Sequence, residues 1–145
     1  MSKLLGVGVD MCAVSRMEPL VDSRFLQRFF TPAEQAYIRG KGKTAAQSMA
    51  GLFAAKEAAV KALGCGICFP LTELEVLHSE LGQPVLQLSG EALRRVRGGQ
   101  LLLSITHEGG MALALCLWQG DDAHAAPDTG CCGGEDDSPD PASLH

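Results

Sequence analysis

A chain of 145 residues with 46% hydrophobic and 20% charged content has the length and composition of one soluble globular domain. Its formal charge of −5 gives no general reason to expect nucleic acid or an anionic membrane as a partner. No stretch is apolar for long enough to span a bilayer, and Met1-Ser-Lys-Leu-Leu lacks the apolar core of a secretory leader, so a cytoplasmic location is expected.

Leu4 to Val9 reads as a first strand, in which Gly6 and Gly8 permit close approach of another backbone, and Asp10 falls directly at its end. Ser23 to Phe30 predicts a short helix. Thr31-Pro-Ala-Glu34 then offers an N-cap hydroxyl, a proline at the first helical position and a glutamate that closes a capping box, so a further helix is expected to about Arg39. Gly40-Lys-Gly-Lys43 reads as a flexible basic loop, and Thr44 as the cap of a long helix that ends at Leu63. Glu73 to Leu77 and Pro84 to Leu88 predict two strands joined through Glu80-Leu-Gly-Gln, and Glu91 to Val96 a short helix. Leu101 to His107 and Met111 to Trp118 predict a hairpin around Glu108-Gly-Gly110. Strands interspersed with helices and closing on a hairpin indicate an α+β fold rather than a doubly wound sheet.

Residues 1–119 are expected to form the domain. Residues 120–145, rich in Gly, Asp, Ala and Pro and without apolar periodicity, are expected to be an acidic, disordered tail. Seven acidic residues fall in that tail and no lysine or arginine does, so the folded body is less acidic than the whole chain. Arg16, Arg24, Arg28, Arg39, Lys41, Lys43, Lys56 and Lys61 lie in the first 61 residues, a cationic half suited to an acidic partner. The six cysteines are expected as reduced thiols, although Cys65-Gly-Ile-Cys68 has redox or zinc spacing and Cys131-Cys132 lies in the tail.

The long helix carries charges that need a reason. At about 100° per residue, Met49, Phe53, Lys56, Val60 and Leu63 share one stripe, with Glu57 and Lys61 on its flank beside Ala50 and Ala54, small residues that would leave room for a ligand. Glu57 and Lys61 could be an ordinary i,i+4 pair supporting the helix by about 0.2–0.5 kcal/mol. Lys56, on the apolar stripe, must either extend its ammonium to water or meet an anion. Asp10 and Glu57 are the carboxylates best placed for chemistry. If they converge, the natural guest is a hard divalent cation, and Mg²⁺ often takes one or two protein carboxylates and completes its shell with water and phosphate oxygens. Lys61 and the Gly64-Cys-Gly66 backbone would then face the same phosphates.

Three segments carry a family resemblance. Gly6-Val-Gly-Val-Asp10 with Arg16, Phe53-Ala-Ala-Lys-Glu-Ala with Lys61 and Gly64, and Leu103-Ser-Ile-Thr-His107 follow one another as do the motifs of the holo-acyl-carrier-protein synthases, in the 4′-phosphopantetheinyl transferase superfamily. Arg24-Phe-Leu-Gln-Arg28-Phe and Gly82-Gln-Pro84 extend the likeness, which covers about residues 4 to 118.

The resemblance implies a single domain, mainly an antiparallel sheet packed with a long helix, that moves the phosphopantetheine arm of coenzyme A to a serine of apo acyl carrier protein in fatty acid biosynthesis. It implies that Asp10 and Glu57 hold Mg²⁺ and that Lys61 offsets phosphoryl charge. Glu57, directly or through water, or a group of the carrier, would take the serine proton. Lys41, Lys43, Gly64, Gly66 and His107 are the further candidates to hold coenzyme A. Arg16, Met17, Arg24, Phe25 and Arg28 are the candidates to dock the carrier. A homotrimer with interfacial sites is also implied.

The chain departs from the family pattern at Leu52, which stands where a basic residue is common, and at Glu108, an acid beside His107. Two other readings compete: a non-catalytic module that binds coenzyme A or a carrier protein, and a thiol or zinc regulatory protein using Cys65 and Cys68.

Overall fold

The computed structural model describes residues 2–121. Most of the expected tail, with Cys131 and Cys132, lies outside the described residues. β1 (Lys3–Ala13) leads through α1 (Val14–Met17) and a 3₁₀ turn to α2 (Arg24–Phe29), α3 (Pro32–Arg39) and the long α4 (Ala45–Leu63). β2 (Leu74–His78), β3 (Pro84–Leu88), α5 (Gly90–Val96), β4 (Gln100–Glu108) and β5 (Met111–Gly120) complete the order. β1, β5 and β4 form an antiparallel sheet in that order, and β2 with β3 forms a separate antiparallel pair. The α+β reading holds. No helix among the described residues is long and apolar enough to cross a membrane.

Several elements follow from local chemistry. Thr31 and Glu34 make both bonds of the expected capping box, and Ser23 caps α2 by accepting from Phe25 N–H at 3.2 Å. Gly109 and Gly110, with φ of 58° and 77°, form the tight connection between Glu108 and Met111, which face each other across the ladder. Thr44 does not cap α4. Its hydroxyl instead donates to the Lys41 carbonyl at 3.0 Å, because a 3₁₀ turn over Gly42–Thr44 leads straight into the helix.

β1 is longer than expected, and Asp10 lies inside it. β5 supplies a partner to the strand as far as Ala13, so Asp10 pairs with Ala114 instead of ending the ladder.

α4 packs across the inner face of the three-stranded sheet, closest to β1 and β5. Gly6 and Gly8 make that depth possible: a Cβ on Gly6 would overlap the Ala62 carbonyl, and one on Gly8 the Ala58 carbonyl. The alanines of α4 therefore serve helix-to-sheet contact. Ala50 and Ala54 are fully buried and leave no room for a ligand, a correction to the expectation from their size.

Lys56 meets an anion. Its Nζ donates to Glu34 Oε1 at 2.7 Å and to the Leu71 carbonyl at 2.9 Å, and it lies 5.2 Å from the Phe30 ring centroid. Both charged side chains are wholly inaccessible to solvent. Glu34 Oε2 also accepts the Val76 N–H at 2.9 Å, so one carboxylate ties together α3, α4 and β2. Burial pulls the Lys56 pKa down, and the Glu34 carboxylate opposes that shift.

Gly8→Ala should lower unfolding stability by about 1–3 kcal/mol, through overpacking against rigid helix backbone, in urea denaturation. Glu34→Gln should cost about 3–5 kcal/mol, because it leaves Lys56 buried without its counter-charge. Glu34→Gln combined with Lys56→Met should recover most of that loss.

Candidate active site

The depth of α4 on β1 brings three sequence-predicted residues together. Asp10 projects from the inner face of β1, and Glu57 and Lys61 from the facing flank of α4. Lys61 Nζ bonds Asp10 Oδ1 and the Val9 carbonyl, both at 3.1 Å. The lysine thus reaches across to the strand instead of pairing with Glu57 one turn back on its own helix. Its ammonium remains largely exposed, and the Asp10 side chain is 15% exposed.

Both carboxyl groups titrate above their ordinary values. For Glu57 burial is the main cause and the Asp10 carboxylate adds to it, while Lys61 pulls the other way. For Asp10 burial again leads, opposed by the Lys61 hydrogen bond and by the charges of Lys61 and Arg16. Two half-buried carboxylates, one of which adds to the rise of the other, form an anionic pair, and this donor set fits a hard divalent cation. Among the described residues no group of three or more His, Cys, Asp or Glu forms an all-protein cage, so the pair suits an ion that keeps water or substrate oxygens.

Gly64 ends α4 in the left-handed region, with φ of 71°, and its N–H bonds the Val60 carbonyl at 3.1 Å. Gly66 also has a positive φ, 69°. Both need to be glycine for backbone reasons, and the space beside each is open.

His107 is not part of this cluster. On β4 it pairs with Ala112, and its ring lies 3.0 Å from the amide nitrogen of Gln47 near the start of α4. Gln47 and Glu57 stand almost three turns apart on that helix, about 15 Å. His107 instead lines a cleft of about 200 Å³ with Tyr37, Gln47, Leu52, His78 and Pro84. Tyr37 stacks on His78 with ring centroids 4.2 Å apart, and Lys41 Nζ lies 4.7 Å from the Tyr37 ring centroid. Burial and the Lys41 charge hold the His78 pKa down. Lys43 is exposed on the 3₁₀ turn before α4. Leu52 is buried against the cleft where the family pattern has a basic residue. Gln47, Tyr37 and His78 carry no sequence signal as a group, since three separate elements supply them.

The expected cationic face is present in part. Arg24 and Arg28 are exposed on α2, and Arg16 is half-exposed close enough to Asp10 to lower its pKa. Met17 is 1% exposed and belongs to the core, which removes it from any docking surface. The cause is its place on α1, whose inward side packs on α4. Phe25 is half-buried, with its ring 4.6 Å from Phe29 and 5.4 Å from Phe53.

The raised carboxyl values set a pH signature. A group with a raised folded-state pKa supports folding fully below its unfolded value, 4.5 for Glu57, and that support is lost as pH rises through the folded value. Glu57→Gln should therefore raise the thermal midpoint at pH 7.5 and leave it nearly unchanged at pH ~3.5, by differential scanning calorimetry. An equal gain at both pH values would contradict the assigned charge environment.

The family model described as the 4′-phosphopantetheinyl transferase superfamily matches residues 6–116. A holo-[acyl-carrier-protein] synthase of Treponema denticola is 41% identical over 122 residues, covering 81% of this chain and 99% of that protein. One of Trichlorobacter lovleyi is 44% identical over 121 residues, covering 77% and 94%. Among solved structures, the Bacillus anthracis holo-(acyl-carrier-protein) synthase in complex with CoA (3′,5′-ADP) aligns with a TM-score of 0.69 at 31% identity, covering 81% of this chain and 98% of that one. The Helicobacter pylori synthase in complex with coenzyme A aligns with a TM-score of 0.66 at 33% identity, covering 76% and 96%. With its motifs in order on the shared fold, this chain belongs to the 4′-phosphopantetheinyl transferase superfamily.

Proposed function

We propose that this chain is a cytoplasmic, Mg²⁺-dependent holo-acyl-carrier-protein synthase, which transfers phosphopantetheine from coenzyme A to a serine of an apo acyl carrier protein for fatty acid synthesis. The observation that carries the reading is the Asp10–Glu57–Lys61 cluster, built between β1 and α4 in a chain whose relatives bear that name. Adenosine 3′,5′-bisphosphate is the second product.

Asp10 and Glu57 would hold Mg²⁺, which supplies Lewis-acid neutralisation of charge on the pyrophosphate. Lys61, exposed at its tip, turns its ammonium toward phosphate oxygens and offsets charge on the leaving 3′,5′-bisphosphate side. Glu57, whose pKa is raised, is poised to accept the serine proton directly or through water. The open backbone at Gly64 and Gly66 offers close approach to the same phosphates. Arg16, Arg24 and Arg28 present cations to an acidic carrier, and Phe25 supports α2 beneath them.

We assign coenzyme A to a site shared between protomers of a homotrimer. Two observations support this. His107, Lys41 and Lys43 stand at the opposite end of α4 from the carboxylates, too far to hold one phosphate cluster with them inside a single chain. The outer sheet face exposes Val7, Val9 and Met11 on β1, Leu115 on β5 and Leu102 on β4, and in the ladder Val9 faces Leu115. Such an apolar face is suited to burial between protomers.

Mass spectrometry of apo acyl carrier protein incubated with the enzyme, coenzyme A and Mg²⁺ should show addition of the phosphopantetheine arm, and no addition across several acyl and peptidyl carriers would refute the reading. Asp10→Ala and Glu57→Ala should each lower the rate by about two to four orders of magnitude. Arg24→Ala should raise the carrier KM most at low salt. Leu115→Asp should yield monomers in sedimentation and lose activity with Asp10 and Glu57 intact.

A further inference from the structure

We propose that Cys65 and Cys68 form a thiol–disulfide exchange site that reacts with low-molecular-weight disulfides, and that its closure reshapes the turn following α4. The site itself stands apart from the transferase reading; its effect on coenzyme A binding rests on that reading.

The two cysteines stand three residues apart in the segment that follows α4. The Cys68 thiol donates to the Cys65 carbonyl oxygen at 2.8 Å, and the Cys65 thiol to the Gly66 carbonyl at 3.4 Å. A disulfide needs Cα atoms about 4.4–6.8 Å apart, and the bond from the Cys68 sulfur to the Cys65 carbonyl folds the two residues toward each other. Gly66, between them, has a left-handed backbone, with φ of 69°. Both residues are half-buried, packed against the edge of the core.

The other two cysteines of the described residues differ. Cys12 and Cys116 are 1% and 0% exposed, so no reagent reaches them. Selectivity within the folded body therefore favours the turn.

The chemistry balances without a metal. One cysteine thiolate attacks an external disulfide, forming a mixed disulfide and expelling one external thiolate, which takes up a proton. The other cysteine, as thiolate, attacks the protein sulfur and expels the second external thiol. The dithiol is oxidised to the Cys65–Cys68 disulfide, and the external disulfide is reduced to two thiols. A substrate that is itself a thiol makes its own disulfide form a fitting oxidant.

Position gives the step a consequence. Cys65 directly follows the left-handed Gly64 that ends α4, one turn past Lys61. Closure of the ring draws in the 64–66 backbone that is open to a ligand in the structure.

The full-length reduced protein, incubated with glutathione disulfide and alkylated with N-ethylmaleimide, should give a peptide with Cys65 linked to Cys68, reversed by dithiothreitol. Alkylation of both cysteines, a stable glutathione adduct at one, or a link from either to Cys131 or Cys132 would overturn the site. In transferase assays the oxidised protein should show a coenzyme A KM raised about tenfold, restored by dithiothreitol, whereas the oxidant-treated double variant Cys65→Ser/Cys68→Ser should keep the reduced-state KM. An unchanged KM in protein with the verified link overturns the coupling to the active site. A reduced protein that forms the link and transfers nothing overturns the transferase reading and leaves the exchange site standing.

Discussion

The contact between α4 and β1 is the constraint on which the rest of the structure depends. Helix and strand meet backbone to backbone, because Gly6 and Gly8 have no side chain and Ala58 and Ala62 have almost none. A helix held one side-chain thickness higher would carry Glu57 and Lys61 away from Asp10. The 3.1 Å bond from Lys61 to Asp10, and the rise that Asp10 imposes on the Glu57 pKa, both require this closeness. Small residues on two elements thus determine the electrostatics of a third set of residues between them.

Rotation of α4 is fixed from its other side. Lys56 and Glu57 are neighbours in sequence with opposite surroundings: Lys56 points into the core to Glu34 and Leu71, and Glu57 to the half-buried cleft beside β1. A buried ion pair is a poor source of net stability, but a lone partner is costly, so the pair discriminates strongly against other registers of the helix. Glu34 serves the local order as well, since the carboxylate that meets Lys56 also closes the capping box of α3. Oε1 serves both the local cap and the Lys56 anchor, and Oε2 holds β2.

A single chain separates what the proposed chemistry joins. The carboxylates and Lys61 occupy the C-terminal half of α4, and the His107 cleft occupies its start. An exposed apolar sheet face next to a divided site is economical if chains assemble, because burial of that face then supplies both stability and the missing half. Leu52 lines the His107 cleft where a charge is common, and Lys41 extends over Tyr37 on the same side, a neighbouring source of positive charge.

Much of this was legible in the sequence. Thr31 and Glu34 announced a helix start, Gly109-Gly110 a hairpin, and the ordered motifs around Asp10, Glu57 and His107 the family, since each depends on residues close along the chain. The sequence also determined that Lys56 must either reach water or meet an anion. Only the tertiary structure decided that the partner is Glu34, that Met17 turns into the core, that Asp10 sits within a strand, and that the alanines of α4 seat a helix rather than a ligand. The physical reason is common to all four. Periodicity defines which face of an element is apolar, but the distance and identity of what packs against that face are set by segments far away in sequence.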